Sequence, residues 1–346
     1  MKKYLTVLFA GSMSLTVLAQ EYNPKEPYMT KSLTTEAIQN VKVETTGGNI
    51  TVTGVDGEAR IEVYVWASNS RDRHLSKEEL KKKLEEGYEL TVSAANHKLT
   101  AIANPKHHFN NWNNSLSISF RVYVPHTVSS DLTTSGGNID LKELAGTQDF
   151  TTSGGNISVN HLSGNVTGRT SGGNIDLADS KDEIDLSTSG GNINAKNSHG
   201  NIKLVTSGGS VSLLSLQGTI KASTSGGSVD GDAIEGELSA HTSGGNIDMQ
   251  NLSCSLETST SGGNIEVNMK TLGKYIKITN SGGSIDLQIP PDKGVDLKLY
   301  ADKIKVGTLS NFKGDIEKTH IEGTLNGGGV PVTVHGGGGK INLTFK

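Results

Sequence analysis

Four carboxylates recur late in the chain at steps of 18, 18 and 20 residues: Asp230, Asp248, Glu266 and Asp286. The same series begins earlier with Asp140, Ser158, Asp176, Asn194 and Ser212. If the spacing stacks them on one outer face, neighbours lie about 4.8 Å apart. At that distance like charges repel by about 1 kcal/mol in water, and by more against a low-dielectric wall. Such a face would take a cation, Ca²⁺ being the candidate, or a basic partner. The alternative is a solvating face, screened by salt and nearby lysines.

A second constellation is the segment 104–114, Asn-Pro-Lys-His-His-Phe-Asn-Asn-Trp-Asn-Asn. Phe109 and Trp112, flanked by amides such as Asn111, suit sugar recognition through stacking and hydrogen bonds, and loops on rigid scaffolds commonly carry function. His107 and His108 offer imidazoles to a metal, but adjacent histidines without a third ligand are a weak signal. In the competing reading, Phe109 and Trp112 fold back to cap the domain.

Catalytic signatures are missing. There is no Gly-x-Ser-x-Gly, no His-Glu-x-x-His and no Gly-x4-Gly-Lys-Ser/Thr, so hydrolase, zincin and P-loop readings lack support. Coiled β folds that cleave polysaccharides set acids and arginine on one outer face. Here Arg169, with Asp149 and Asp185 a coil to either side, reads more simply as a structural salt-bridge cluster, and no catalytic residue is assigned. The single cysteine, Cys254, forbids an internal disulfide and offers no cysteine-based zinc cage. A net charge of −4 without a basic run argues against nucleic acid.

The elements that must position these groups are set by a repeat. Ser-Gly-Gly recurs with its serine at Ser135, Ser153, Ser171, Ser189, Ser207, Ser225, Ser243, Ser261 and Ser281, every 18 residues until a last step of 20. Counting that serine as zero, position +4 is aliphatic throughout, from Ile139 to Ile285, and +6 is mostly so. A weaker copy falls at +13 and +15, as in Ile184 with Leu186. Apolar residues two apart are strand spacing. A unit this short cannot bury its own apolar face and must stack on its neighbours. The expected fold is all-β: a parallel β-solenoid of 18-residue coils, each with two short strands, filled by Ile, Val and Leu. An aromatic content of only 5% agrees with so narrow a core. The Gly-Gly corners are expected to use positive φ, and the following Asn or Ser to form a hydrogen-bonded ladder. The preceding Thr makes another stripe, of open orientation.

The turn that binds Ca²⁺ in other 18-residue coils needs Gly-Gly-x-Gly-x-Asp. Ile139 and its equivalents occupy the slot of its third glycine, which rejects that version. A six-residue acyltransferase period is absent.

The template reaches back to Thr46–Ile50, placing a first coil near 40–66 that includes Ala59, Ile61 and Val63. Between it and Ser135, Ser76-Lys77-Glu78-Glu79 starts a helix over 77–86, followed by strand-like segments at 88–94, 99–103 and 116–124. Val330–His335 and Lys340–Phe345 read as terminal strands. Residues 1–19, with Lys2 and Lys3, a short apolar middle and Val17-Leu18-Ala19 before the cut, read as a signal peptide, followed by a linker (20–39). The domains are then an N-terminal coil and cap (40–130), regular coils (131–300), and C-terminal coils and cap (301–346). No membrane span is expected once the leader is removed.

Thr-Ser-Gly-Gly-Asn-Ile, the half-repeats Gly164-Asn165-Val166 and Gly200-Asn201-Ile202, and the Val124-Pro125 step resemble a known family over about residues 40–345. It is the bacterial putative-adhesin family of exported β-strand-repeat proteins, related to the adhesin-head domain with its Gly-Asn-Ile repeat. The departure is the long insertion Ser68–Asn114. The resemblance implies an exported, adhesin-like or structural module in the periplasm, on the surface or secreted, whose partner is an envelope protein or a glycan. It carries over no catalytic residue.

Overall fold

The computed structural model describes residues 26–67, 75–106 and 115–346. The leader and five candidate ligand residues, His107, His108, Phe109, Asn111 and Trp112, lie outside the described residues.

The chain is all-β and winds into stacked, mainly parallel rungs. Ile139, Ile157, Ile175, Ile193, Val211, Val229, Ile247, Ile265 and Ile285 are successive parallel partners, and every one is buried. A second column joins Val166, Ile184, Ile202, Ile220, Leu238, Leu256 and Ile276. A third column was not read from the sequence: Leu144, Leu162, Ser180, Ser198, Leu216, Ile234 and Leu252, all buried. Its two serines are satisfied locally. Ser180 Oγ donates to the Ala178 carbonyl (2.8 Å) and accepts from Leu162 N–H (3.0 Å), and Ser198 does the same between the Lys196 carbonyl and Ser180 N–H.

The bore is too narrow for unmatched bulk. A Cβ on Gly168 would lie 2.1 Å from the ring of Phe150 in the preceding coil, and one on Gly231 would lie 2.5 Å from Met249 Sδ. Phe150 and Met249 therefore each take the space left by a glycine in an adjacent coil.

The corners differ from expectation. Neither glycine of the Ser-Gly-Gly turns sits in the left-handed region. That conformation falls instead on non-glycines such as Glu143, His161, Asp179 and Asn197 and on glycines such as Gly164 and Gly200. The second turn glycine is required by crowding: its added Cβ would meet the carbonyl oxygen of the equivalent glycine one coil back, as at Gly155 against Gly137 O (1.8 Å). The Thr stripe points inward. Thr152 Oγ1 donates to Gly137 O (2.8 Å) and accepts from Gly155 N–H (3.2 Å), and Thr170 and Thr188 repeat both bonds. The Asn ladder is not amide to amide: Asn138 Oδ1 accepts the backbone N–H of Asn156, and Asn156 Oδ1 that of Asn174 (both 2.8 Å).

Both ends are interleaved. The rung made by Asn40–Thr45 and Ile50–Gly54 lies between the strands Lys98–Pro105 and Leu116–Val124 on one side and Ser129–Thr134 and Ile139–Thr152 on the other. Ala59, Ile61 and Val63 do not continue that coil, as the sequence had suggested: Arg60–Ala67 runs antiparallel to Leu116–Val124 and to Met29–Ser32. Antiparallel strands at the end of a stack blunt its open edge. A helix, Lys77–Gly87, is capped reciprocally by Ser76 and Glu79 and buries Leu80 and Leu84. At the far end, Val330–Gly336 and Lys340–Phe345 are not terminal. They lie between the strands Ile265–Asn280 and Ile285–Ile289 on one side and Val295–Tyr300 and Lys303–Val306 on the other. The outer strands there are His320–Leu325 and Phe312–Ile316, both antiparallel.

Candidate functional surfaces

The acidic column forms as a geometric object. Asp230, Asp248, Glu266 and Asp286 are consecutive parallel partners with exposed side chains. Partial burial, then the neighbouring Asp248, pushes the Asp230 carboxyl above its ordinary value. Amides moderate the rest: Gln250 Nε2 donates to Asp248 Oδ1 (2.7 Å) and Asn342 Nδ2 to Asp286 Oδ1 (3.0 Å). A shallow groove of about 490 Å³ runs beside Asp230, Asp232, Asp248 and Leu214. Among the described residues, no group of three or more His, Cys, Asp or Glu is arranged to hold a metal ion.

The cluster expected around Arg169 does not form. Arg169 pairs in the sheet with Thr151 and Ser187, while Asp149 and Asp185 flank Thr167, two residues earlier. Asp185 instead pairs with Lys203 (2.9 Å).

Two polar-aromatic clusters were missed. At the C-terminal end Tyr300 stacks on His335 (centroids 5.0 Å apart, 6° between planes) and meets His320 edge-on at 4.6 Å. Glu322, bonded by Lys298 (2.9 Å) and by the Tyr300 hydroxyl (3.3 Å), is held below the usual carboxylate range, mainly by the lysine.

The other cluster lies on the outer face of the antiparallel pair Arg60–Ala67 and Leu116–Val124. Ile61, Val63 and Val65 point into the core, so Arg60, Glu62, Tyr64 and Trp66 line the opposite face. Opposite them stand Tyr123, Arg121, Ser119 and Ser117. Arg60 Nε bonds Glu62 Oε1 (2.9 Å) and its guanidinium lies 3.8 Å from the Tyr123 ring centroid. Tyr64 donates its hydroxyl to Glu62 Oε2 (3.0 Å) and accepts from Arg121 (3.3 Å), whose guanidinium lies 4.5 Å over the Tyr64 ring. Burial raises the Tyr64 phenol above its ordinary value, and the bond to Glu62 adds to the shift. A groove of about 560 Å³ opens here, lined by Asn49, Thr51, Tyr64, Trp66, Ser119, Phe120 and Arg121. The alternation Arg-Ile-Glu-Val-Tyr-Val-Trp was the available signal: it marks a strand with an aromatic outer face.

Stacked parallel rungs with polar outer columns define a β-repeat protein of the solenoid-like class. Residues 178–344 match the model of the Toastrack DUF4097 family. No curated protein matches the chain. Among solved structures, one described as a putative lipid binding protein from Parabacteroides distasonis shares 14% identity, covering 92% of this chain and 96% of its own, with a TM-score of 0.30. A putative adhesin from Bacteroides fragilis shares 13%, covering 91% and 96%, at 0.23. A putative cell adhesion protein from Clostridium sporogenes shares 13%, covering 92% and 98%, at 0.20. Likeness this slight assigns no function. No helix among the described residues is long and apolar enough to cross a membrane.

Proposed function

We propose that the chain is an exported, non-enzymatic scaffold whose rigid outer face serves adhesion or envelope structure, in the periplasm or at the cell surface. The observation that carries this reading is uniformity. From Ile139 to Ile265 successive coils keep one register at a constant step, with no long loop to wall a catalytic cleft. The leader-like residues 1–19 support export. Fractionation of native cells, with the N-terminus of the product sequenced, tests it. A product beginning at Gln20 in the envelope or medium is expected, and an uncleaved cytoplasmic product overturns export.

Carbohydrate binding is the second reading. It is favoured by the aromatic and guanidinium groups on Leu116–Val124, which follows the 104–114 segment in sequence, and on its partner strand Arg60–Ala67. The acidic column we read as a solvating face. Calorimetry with Ca²⁺ checks this, and a binding heat lost in Asp230→Asn with Asp248→Asn would make it a cation site.

A further inference from the structure

We propose that the groove lined by Tyr64, Trp66, Arg121 and Asn49 binds a carboxylated saccharide, a uronate-bearing glycan. This deepens the carbohydrate reading above and rests on it. The first argument is placement. The chain is 5% aromatic, and its coils seat the buried Phe150 and Met249 side chains against glycines of adjacent coils. Even so, Tyr64 and one of the two tryptophans, Trp66, stand on an outer strand face beside a concave wall. Trp66 is half-buried, so part of its ring is open for stacking against the apolar face of a pyranose. The side chains of Asn49, in the turn before Ile50–Gly54, and of Thr51 and Ser119 on the adjoining strands line the same wall with amide and hydroxyl groups of the kind that pair with sugar hydroxyls.

The second argument is charge. Within the cluster Glu62 is already engaged, by Arg60 on one oxygen and by the Tyr64 hydroxyl on the other. Arg121 is the cation left over. Among the described residues its one hydrogen bond is to the Tyr64 hydroxyl, and no carboxylate there lies within ion-pair reach. The guanidinium is nonetheless held in place by the Tyr64 ring beneath it. A planar fork fixed by stacking, with donors to spare, matches a carboxylate in two parallel bonds and loses little entropy in doing so. The surplus positive charge sits on a chain of net charge −4, whose other outer columns are rich in acids. An anionic group on a sugar ring satisfies the guanidinium and the aromatic wall together, which a neutral sugar or a free anion does not.

The test is calorimetric titration of the full chain, freed of its leader by export, with a galacturonate tetrasaccharide and with the same sugar after reduction of its carboxyls. The acid form is expected to bind at least 10-fold more tightly. Arg121→Gln and Arg121→Lys should both collapse that ratio towards one, the lysine because a point charge lacks the fork. Trp66→Ala should weaken both sugars at least 10-fold. Unchanged circular dichroism in each variant separates these effects from misfolding. The proposal is overturned by equal binding of the two sugars, by binding of neither, or by inorganic phosphate displacing the acid sugar at lower concentration than galacturonate does. Binding abolished by Trp112→Ala but untouched by Trp66→Ala would overturn this site and leave the carbohydrate reading standing on the 104–114 segment.

Discussion

Gly154 and Gly155 are neighbours in one turn, yet replacing each by alanine should give opposite results. A methyl on Gly154 finds its nearest atom, Ser135 O, at 3.7 Å, an ordinary contact. A methyl on Gly155 would lie 1.8 Å from Gly137 O and 2.3 Å from its carbon. The two coils cannot part locally without stretching the bonds that fix their spacing. These are Thr152 Oγ1 to Gly137 O (2.8 Å), Asn156 N–H to Asn138 Oδ1 (2.8 Å) and Gly154 N–H to Ser135 O (2.9 Å). Each such bond contributes about 0.5–1.5 kcal/mol net, and overpacking strain adds about 1–3 kcal/mol. Gly155→Ala is therefore expected to destabilise by at least about 2.5 kcal/mol, and by about 7 kcal/mol if all three bonds are lost. Gly154→Ala should lie within about 1 kcal/mol of the parent, on the stabilising side where the stiffer unfolded chain dominates. Both variants have the same composition and nearly the same unfolded state, so the difference between them reports the native coil contact alone. Urea denaturation followed by far-ultraviolet circular dichroism measures it. Equal midpoints for the two variants would refute the claim that backbone crowding, rather than turn conformation, demands the second glycine.

Thr188→Val keeps the shape but deletes the hydroxyl between Gly173 O and Gly191 N–H. Leaving those buried groups unpaired should destabilise by about 1–3 kcal/mol, whereas Asn192→Ala on the wet outer ladder should stay under about 1 kcal/mol in the same denaturation assay. Asp230 has a raised folded pKa, so its charged form opposes folding at neutral pH and this penalty disappears as pH falls below the ordinary aspartate value of 3.8. Asp230→Asn should accordingly raise Tm at pH 7 by an amount below about 1 kcal/mol in stability, with the gain shrinking towards pH 3.8; a gain that grows in acid would contradict it. Burial pushes the Cys254 thiol up to about 12, so a disulfide reagent at pH 8 should label it only as the chain unfolds; rapid labelling of the native protein would contradict the packing.

The stacked parallel architecture was legible because an 18-residue step lines up identical side chains, and the Ile139–Ile285 series has one inward position per coil. What escaped were features that no single coil contains. The need for the second glycine comes from a carbonyl one coil away, and the direction of the Thr stripe from an acceptor 15 residues back. The column through Leu144 and Leu162 was hidden because Ser180 and Ser198 occupy two of its places. At the ends, apolar alternation placed Ile61 and Val63 in a coil near 40–66 and showed strands at 330–335 and 340–345, but alternation is blind to whether a partner is parallel or antiparallel, or which rungs it separates. The groove at Tyr64 and Arg121 was overlooked for a related reason. Ile61 and Val63 fitted the coil template, which drew the eye to their inner face, while the outer residues meet Arg121 only through an antiparallel pairing of distant segments. The candidate residues of 104–114 fall outside the described part of the chain.

The interleaved ends bear on the order in which the molecule is completed. Residues 330–345 fill a slot bounded by strands that precede them, so until they emerge from a ribosome or a translocation pore, those bounding strands keep raw hydrogen-bonding edges. The 40–54 rung likewise waits for residues 98–142 before both of its flanks are closed. Vectorial synthesis would thus yield a thread that zips in its middle while its two extremities stay unlatched.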